Sequence, residues 1–161
     1  MARDVPSISV CMPVYNAERF VAEALIEYSC ADTWGLRVPD RRRRLNRRLV
    51  SRPNKGLVPS LNELVYVARG EFLARMDADD IGMPERFEKQ VGYLRAHPEC
   101  AVVGCRVWEI DADGDTVTEW PTLSDHTEID AFHFRLMGPA LLHPSIVMRR
   151  DAVLAIGGYR Q

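Results

Sequence analysis

Apolar residues along this chain alternate between short continuous runs and helical recurrences, the pattern of an α/β protein. Ile8-Ser9-Val10-Cys11-Met12 is a β-rich run ended by Pro13, which has no N–H for a strand ladder. The loop Pro13-Val14-Tyr15-Asn16 follows. Asn16 suits a helix N-cap, and Phe20, Val21, Ala24, Leu25 and Tyr28 recur at helical spacing, which predicts a helix over 17–29. Arg48-Leu49-Val50-Ser51 can form a brief strand. Turn residues Pro53-Asn54-Lys55-Gly56 then lead into a second helix with Leu57, Leu61, Leu64, Val65 and Ala68 on one face, which Gly70 stops.

Phe72-Leu73-Ala74-Arg75-Met76 reads as the next strand, with Asp77 to Asp80 just past its end. Pro84 and Glu85 suit the first turn of a third helix, with Phe87, Val91 and Leu94 inward, a Glu85–Lys89 pair outward and Pro98 beyond its end. Ala101-Val102-Val103-Gly104 is a further strand. Residues 107–110 and 116–120 flank the hairpin turn Asp113-Gly114, and a helix over 124–137, a strand over 145–148 and Ile156-Gly157-Gly158-Tyr159 complete the chain. Strands alternating with helices predict a mostly parallel sheet, which binds ligands beyond the carboxyl ends of its strands. Pro13–Asn16 and Asp77–Asp80 both lie at such ends.

At 161 residues, 47% of them hydrophobic, the chain supports one domain with its own core. No apolar run is long enough to span a membrane and the first residues lack a signal-peptide core, so a cytoplasmic protein is expected, or one peripheral to the inner face of a membrane. Cys11, Cys30, Cys100 and Cys105 show neither a CxxC pair nor zinc-site spacing and read as reduced thiols, mostly core. A net charge of −2 argues against general nucleic-acid affinity, yet seven arginines fall between Arg37 and Arg48. That segment is expected to be irregular. A phosphate- or RNA-binding arm is its functional alternative, although it lacks the interleaved aromatics of a nucleic-acid platform.

Three carboxylates within Asp77–Asp80 repel one another unless a cation sits among them. Mg²⁺ or Mn²⁺ takes one or two protein carboxylates and completes its shell with water and substrate phosphate. An extended Asp77-Ala78-Asp79 would send both carboxylates to one side. The other reading is a solvated turn, or a cap at Asp80 for the following helix. Asp111-Ala112-Asp113-Gly114 repeats the spacing inside a polar hairpin, where turn chemistry accounts for it.

In order, the residues 8–18, Asn54-Lys55-Gly56-Leu57 with Leu61-Asn62, the stretch from Ala68 to Asp80, and Pro84-Glu85-Arg86-Phe87-Glu88-Lys89-Gln90-Val91 resemble the front half of family 2 glycosyltransferases. His143-Pro144-Ser145 and Ile156-Gly157-Gly158-Tyr159 resemble that family's later landmarks. The resemblance implies a GT-A fold, with a Rossmann-like sheet flanked by helices and incomplete here. It also implies metal-dependent, inverting transfer of a sugar from a nucleoside-diphosphate sugar, UDP-linked in the first instance, to a saccharide or lipid-linked acceptor in cell-envelope polysaccharide synthesis. By the same resemblance Pro13, Val14, Tyr15 and Asn16 contact the nucleotide, Lys55 and Gly56 lie near it, Asp77 and Ala78 face the ribose or donor sugar, and Asp79 holds the metal. His143 is a further candidate for the donor pocket, although a lone histidine is more often structural.

Two parts of the family pattern are missing. No catalytic residue is identified, because the family's general base is expected beyond Gln161. The base-binding loop Asp-Asp-Gly-Ser-Thr-Asp is replaced by the arginine run. Arg41 to Arg48 can be encoded as CGT CGA CGA CGG CTC AAC CGA CGC, and with the C that opens a leucine codon the frame one base later reads Val-Asp-Asp-Gly-Ser-Thr-Asp-Ala. A frameshift after about Trp34, with a deletion before frame returns near Leu49, is therefore one expectation for this segment. It makes an impaired enzyme or an inactive remnant the alternatives to a working one, with a basic-loop nucleic-acid-binding module as the rival from another class.

Overall fold

The computed structural model describes residues 8–21, 50–136 and 138–160. In chain order these form β1 (Ile8–Cys11), α1 (Leu57–Val67), β2 (Phe72–Arg75), α2 (Arg86–Ala96), β3 (Val102–Val103), β4 (Trp108–Ile110), β5 (Thr116–Glu119), α3 (His126–Leu136), β6 (Val147–Arg149) and α4 (Arg150–Ala155). A 3₁₀ turn, His143–Ser145, precedes β6.

The described strands make a four-stranded sheet in the order β1-β2-β6-β3 and a separate two-stranded hairpin, β4-β5. β1 and β2 run parallel, from Ile8 opposite Phe72 to Cys11 opposite Arg75. β6 is antiparallel to both β2 and β3. This is an α/β sheet with helices packed on it, mixed among the described strands rather than mostly parallel as expected, because β6 enters antiparallel between β2 and β3. Its parallel pair is where the two candidate loops emerge.

β2 is central, and all four of its residues are buried. Alternation sends Phe72 and Ala74 to one face, where they meet Phe87, Val91, Leu94 and Val147. The opposite face carries Leu73, packed with Cys11, Val65 and Val153. Helix α2 follows from the first set: its buried positions Phe87, Gln90, Val91 and Leu94 have the spacing of a helical stripe. Gly70 brings α1's exit against β1, since a Cβ there would lie 2.5 Å from the Ser9 nitrogen.

Several expectations need correction. α1 ends at Val67 with Ala68 as its C-cap, ahead of Gly70. Pro84 and Glu85 form a turn before α2, which starts at Arg86. Asn16 is no N-cap, because its backbone is left-handed at φ 51° where a cap is extended. Val50 and Ser51 are in coil, and β6 begins two residues later than expected and ends one later, since Ser145 is taken up by the 3₁₀ turn. Helix α4 was not anticipated. Among the described thiols only Cys11 is buried, Cys100 being intermediate and Cys105 exposed. Most of the helix expected over 17–29, Cys30, and the arginine segment through Arg48 and Leu49 lie outside the described residues.

Candidate functional site

Parallel pairing of β1 with β2 ends both strands at the same edge, and the Met76 amide donates to the Cys11 carbonyl at 3.3 Å. Pro13–Asn16 and Asp77–Asp80 therefore leave the sheet side by side. Val14, Tyr15 and Asn16 are exposed, so this loop offers an aromatic ring and an amide to solvent.

The extended geometry expected for Asp77-Ala78-Asp79 is not adopted. The chain turns at Ala78 and Asp79, and the Asp80 carboxylate closes that turn by accepting the Asp77 N–H at 2.8 Å. The three carboxylates thus acquire separate environments. Asp80 faces inward, and burial raises its pKa against the help of the Asp77 amide. Asp77 accepts from Arg75 Nη2 at 2.5 Å. Asp79 is exposed, and no hydrogen bond or ion pair engages its carboxylate among the described residues. Ala78 is buried beneath the turn.

Arg75 is the feature that sequence reasoning missed. It closes β2 on the face shared with Leu73, and its side chain is 2% exposed. Asp77 supplies its one ion pair, while Nε and Nη1 have no hydrogen-bond partner among the described residues. Buried donors left idle cost about 1–3 kcal/mol each, so this is an expensive place for a guanidinium. Its charge reaches three other groups. It opposes the rise that burial imposes on Cys11, to about 11, and on Tyr159, to about 12. It adds to the lowering that burial imposes on His143.

Two landmarks distant in sequence converge here. His143 Nε2 lies 3.0 Å from the Tyr159 hydroxyl, with the rings edge to face. Tyr159 is fixed from behind by Asn62, whose Nδ2 donates to the Tyr159 carbonyl at 2.9 Å while its Oδ1 accepts the Tyr159 amide at 2.8 Å. Gly158 makes this grip possible: at φ 83° it takes a conformation that disfavours side chains, and a Cβ there would meet Asn62 Oδ1 at 2.4 Å. On the other face, Arg86 Nη2 donates to the carbonyls of Arg75 and Pro144 at 3.0 and 2.7 Å. Gln90, buried, donates to those of Val103 and Ser145. Arg86 thus staples the end of β2 to the turn before β6, and Gln90 ties that turn to β3.

Lys55 stands apart. Its ammonium pairs with Glu63 at 2.6 Å, which Arg52 also contacts at 2.9 Å, and no bond joins it to Asp77–Asp80 among the described residues. Gly56, at φ 89°, opens α1. A shallow cavity lined by Arg106, Glu119, Trp120, Pro121 and Thr122 lies at the hairpin, away from the acidic turn.

Does the turn fit a divalent metal? Among the described residues no three His, Cys, Asp or Glu side chains gather to form a cage. The site offers one free carboxylate, Asp79, beside two that are committed to internal bonds. That donor set fits an ion that brings most of its oxygen ligands with a diphosphate, as Mg²⁺ and Mn²⁺ do.

The family model described as glycosyl transferase family 2 matches residues 39–156. Over 107 residues the chain is 37% identical to the amylovoran biosynthesis glycosyltransferase AmsE of Erwinia amylovora, covering 66% of this chain and 39% of that protein. It is 30% identical to the putative glycosyltransferase EpsE of Bacillus subtilis over 173 aligned positions, covering 96% of this chain and 60% of the relative. The O-antigen biosynthesis glycosyltransferase WbnJ of Escherichia coli is 28% identical over 102 residues, 62% of this chain and 38% of WbnJ. The chain thus spans between about two-fifths and three-fifths of the length of these relatives. No helix of the described residues is long and apolar enough to cross a membrane. With the family model covering most of its length, this chain belongs to glycosyl transferase family 2.

Proposed function

We propose that this chain forms the donor half of a sugar-transferring enzyme and binds a nucleoside-diphosphate sugar together with a divalent metal. The observation that carries the reading is the emergence of Pro13–Asn16 and Asp77–Asp80 side by side from a parallel strand pair, with the Asp79 carboxylate free. In this reading Tyr15 and its neighbours lie against the nucleotide, with Lys55 and Gly56 at the border of its site. Asp77, held by Arg75, and Ala78 face the ribose or sugar, while Asp79 is the metal ligand. A bound Mg²⁺ or Mn²⁺ would offset the charge that builds on the leaving diphosphate. The names of AmsE and WbnJ, given for amylovoran and O-antigen biosynthesis, favour polysaccharide synthesis as the setting. A saccharide or lipid-linked acceptor and inversion at the transferred carbon belong to the same proposal. None of the described residues is assigned to taking the acceptor's proton.

Titration calorimetry with UDP and Mn²⁺ tests the reading. Binding that needs metal, disappears in Asp79→Ala and persists in Asp113→Ala is the expected result. Salt-dependent RNA binding with no response to UDP would move the function to the arginine segment instead.

A second reading has its own support. The alignment with EpsE is longer than this 161-residue chain, so the relative carries at least a dozen residues for which this chain has none. A deletion coupled to the frameshift that Arg41–Arg48 permits would produce such a gap, and would leave a protein impaired in nucleotide binding. The gene's bases through residues 35–50 decide it. Codons that spell the shifted Asp-Asp-Gly-Ser-Thr-Asp support the damaged frame, and codons that cannot spell it remove the idea.

A further inference from the structure

Arg75 is hard to explain as a fold-stabilising residue. Its face of β2 is otherwise built from Leu73, Cys11, Val65 and Val153, and an unbranched apolar side chain would fill the same space without desolvating a charge. Two of its three nitrogens find no acceptor among the described residues. The third is committed to Asp77, whose side chain is 40% exposed, so the pair joins the core to the surface at the proposed donor site. The charge of the guanidinium acts on His143 and Tyr159, which are linked to each other at 3.0 Å, with Tyr159 locked by Asn62 through two backbone bonds. Arg75 and Asp77 are thereby joined to one another, and His143, Tyr159 and Asn62 to one another, with the Arg75 charge acting on both His143 and Tyr159.

We propose that Arg75 is the positioning residue of the donor site: gripped in the core beside the His143–Tyr159 pair, its guanidinium sets the direction of the Asp77 carboxylate and so the affinity for the nucleotide portion of the donor. This rests on the proposed function. Arg75 does not touch the donor itself. Its planar fork, with Nη2 on Asp77, fixes an angle that an ammonium on a flexible stem would not.

The test uses the whole chain, with UDP and Mn²⁺ as the calorimetric probe and thermal unfolding without ligand as the second readout. Arg75→Met removes the charge and the idle donors while keeping length. Its unfolding midpoint should be equal to or above the wild type's while UDP affinity falls by about tenfold or more, a combination that a structural role does not produce. Arg75→Lys should recover only part of the affinity. In an Asp77→Asn background, Arg75→Met should change affinity by less than about twofold, since the residue acts through Asp77.

Wild-type affinity in Arg75→Met, or a full loss repeated in the Asp77→Asn background, overturns the inference and leaves the proposed function standing. A wild-type chain that binds no UDP sinks the proposed function and this inference with it. If Arg75→Met does not fold, Arg75→Lys with and without Asp77→Asn completes the same cycle, and additive effects there are equally fatal.

Discussion

Asp77-Ala78-Asp79 follows a strand whose four residues are all buried, whereas Asp111-Ala112-Asp113 follows one whose three residues are all exposed. In the second copy the Asp111 carboxylate accepts the amides of Asp113 and Asp115, each at 3.0 Å, and Gly114 completes the turn at φ 90°. Its chemistry is consumed by the local backbone. In the first copy the three carboxylates are divided among a buried arginine, a turn amide and solvent, which leaves Asp79 unspent. Identical spacing thus gives a closed turn where the strand below is solvated, and a primed edge where the strand below is the centre of a sheet.

The supporting strands are where the contrast should be largest. Phe72 is fully buried in the cluster with Phe87, Val91 and Leu94, and Phe72→Ala should cost about 3–5 kcal/mol by denaturant unfolding. Ile110 on β4 is 44% exposed, and Ile110→Ala should cost under about 1 kcal/mol. Equal costs would mean that the hairpin shares the stability of the main sheet. The two alanines give the next step down. Ala78 is 5% exposed, so Ala78→Lys forces a long charged side chain under the turn and should cost about 1–3 kcal/mol. Ala112→Lys, on an exposed turn, should stay within about 0.5 kcal/mol. A tolerant Ala78 would show that the first turn opens as freely as the second.

What could be read from the chain in advance was whatever repeats locally. Phe87, Val91 and Leu94 announce α2 by spacing, and Phe72–Arg75 between Gly70 and Asp77 announces β2. The two-turn helix Arg150–Ala155 is too short to display a period. Asn16 failed as a cap because side-chain chemistry suits both a cap and a left-handed turn, and only the backbone chooses. The site's organisation was hidden for a different reason. An arginine in a strand is read as solvent-facing, so the burial of Arg75 had no local signature. The bond from Asn62 to Tyr159 joins residues 97 apart, and nothing local to either landmark shows that one grips the other.

The smallest effect belongs to pH and again separates the two copies. His143 faces Arg75, Asp77 and Tyr159, and burial, helped by the Arg75 charge, holds its pKa below 6.5 while Asp77 acts in the opposite direction. Unfolded, it titrates near its ordinary value of 6.5. As pH falls through that value the unfolded chain takes up a proton that the folded chain still refuses, so stability declines on the acid side and the decline ends once the folded pKa is passed. The ring is only half-buried, which keeps the effect small. Thermal unfolding of the wild type should lose midpoint between about pH 7 and pH 5, and His143→Gln should lose less over the same interval. Asp111→Asn, at the solvated copy, should leave that slope as in the wild type. An unchanged slope in His143→Gln would mean that His143 takes up its proton folded as readily as unfolded, and that the Arg75 charge does not reach it.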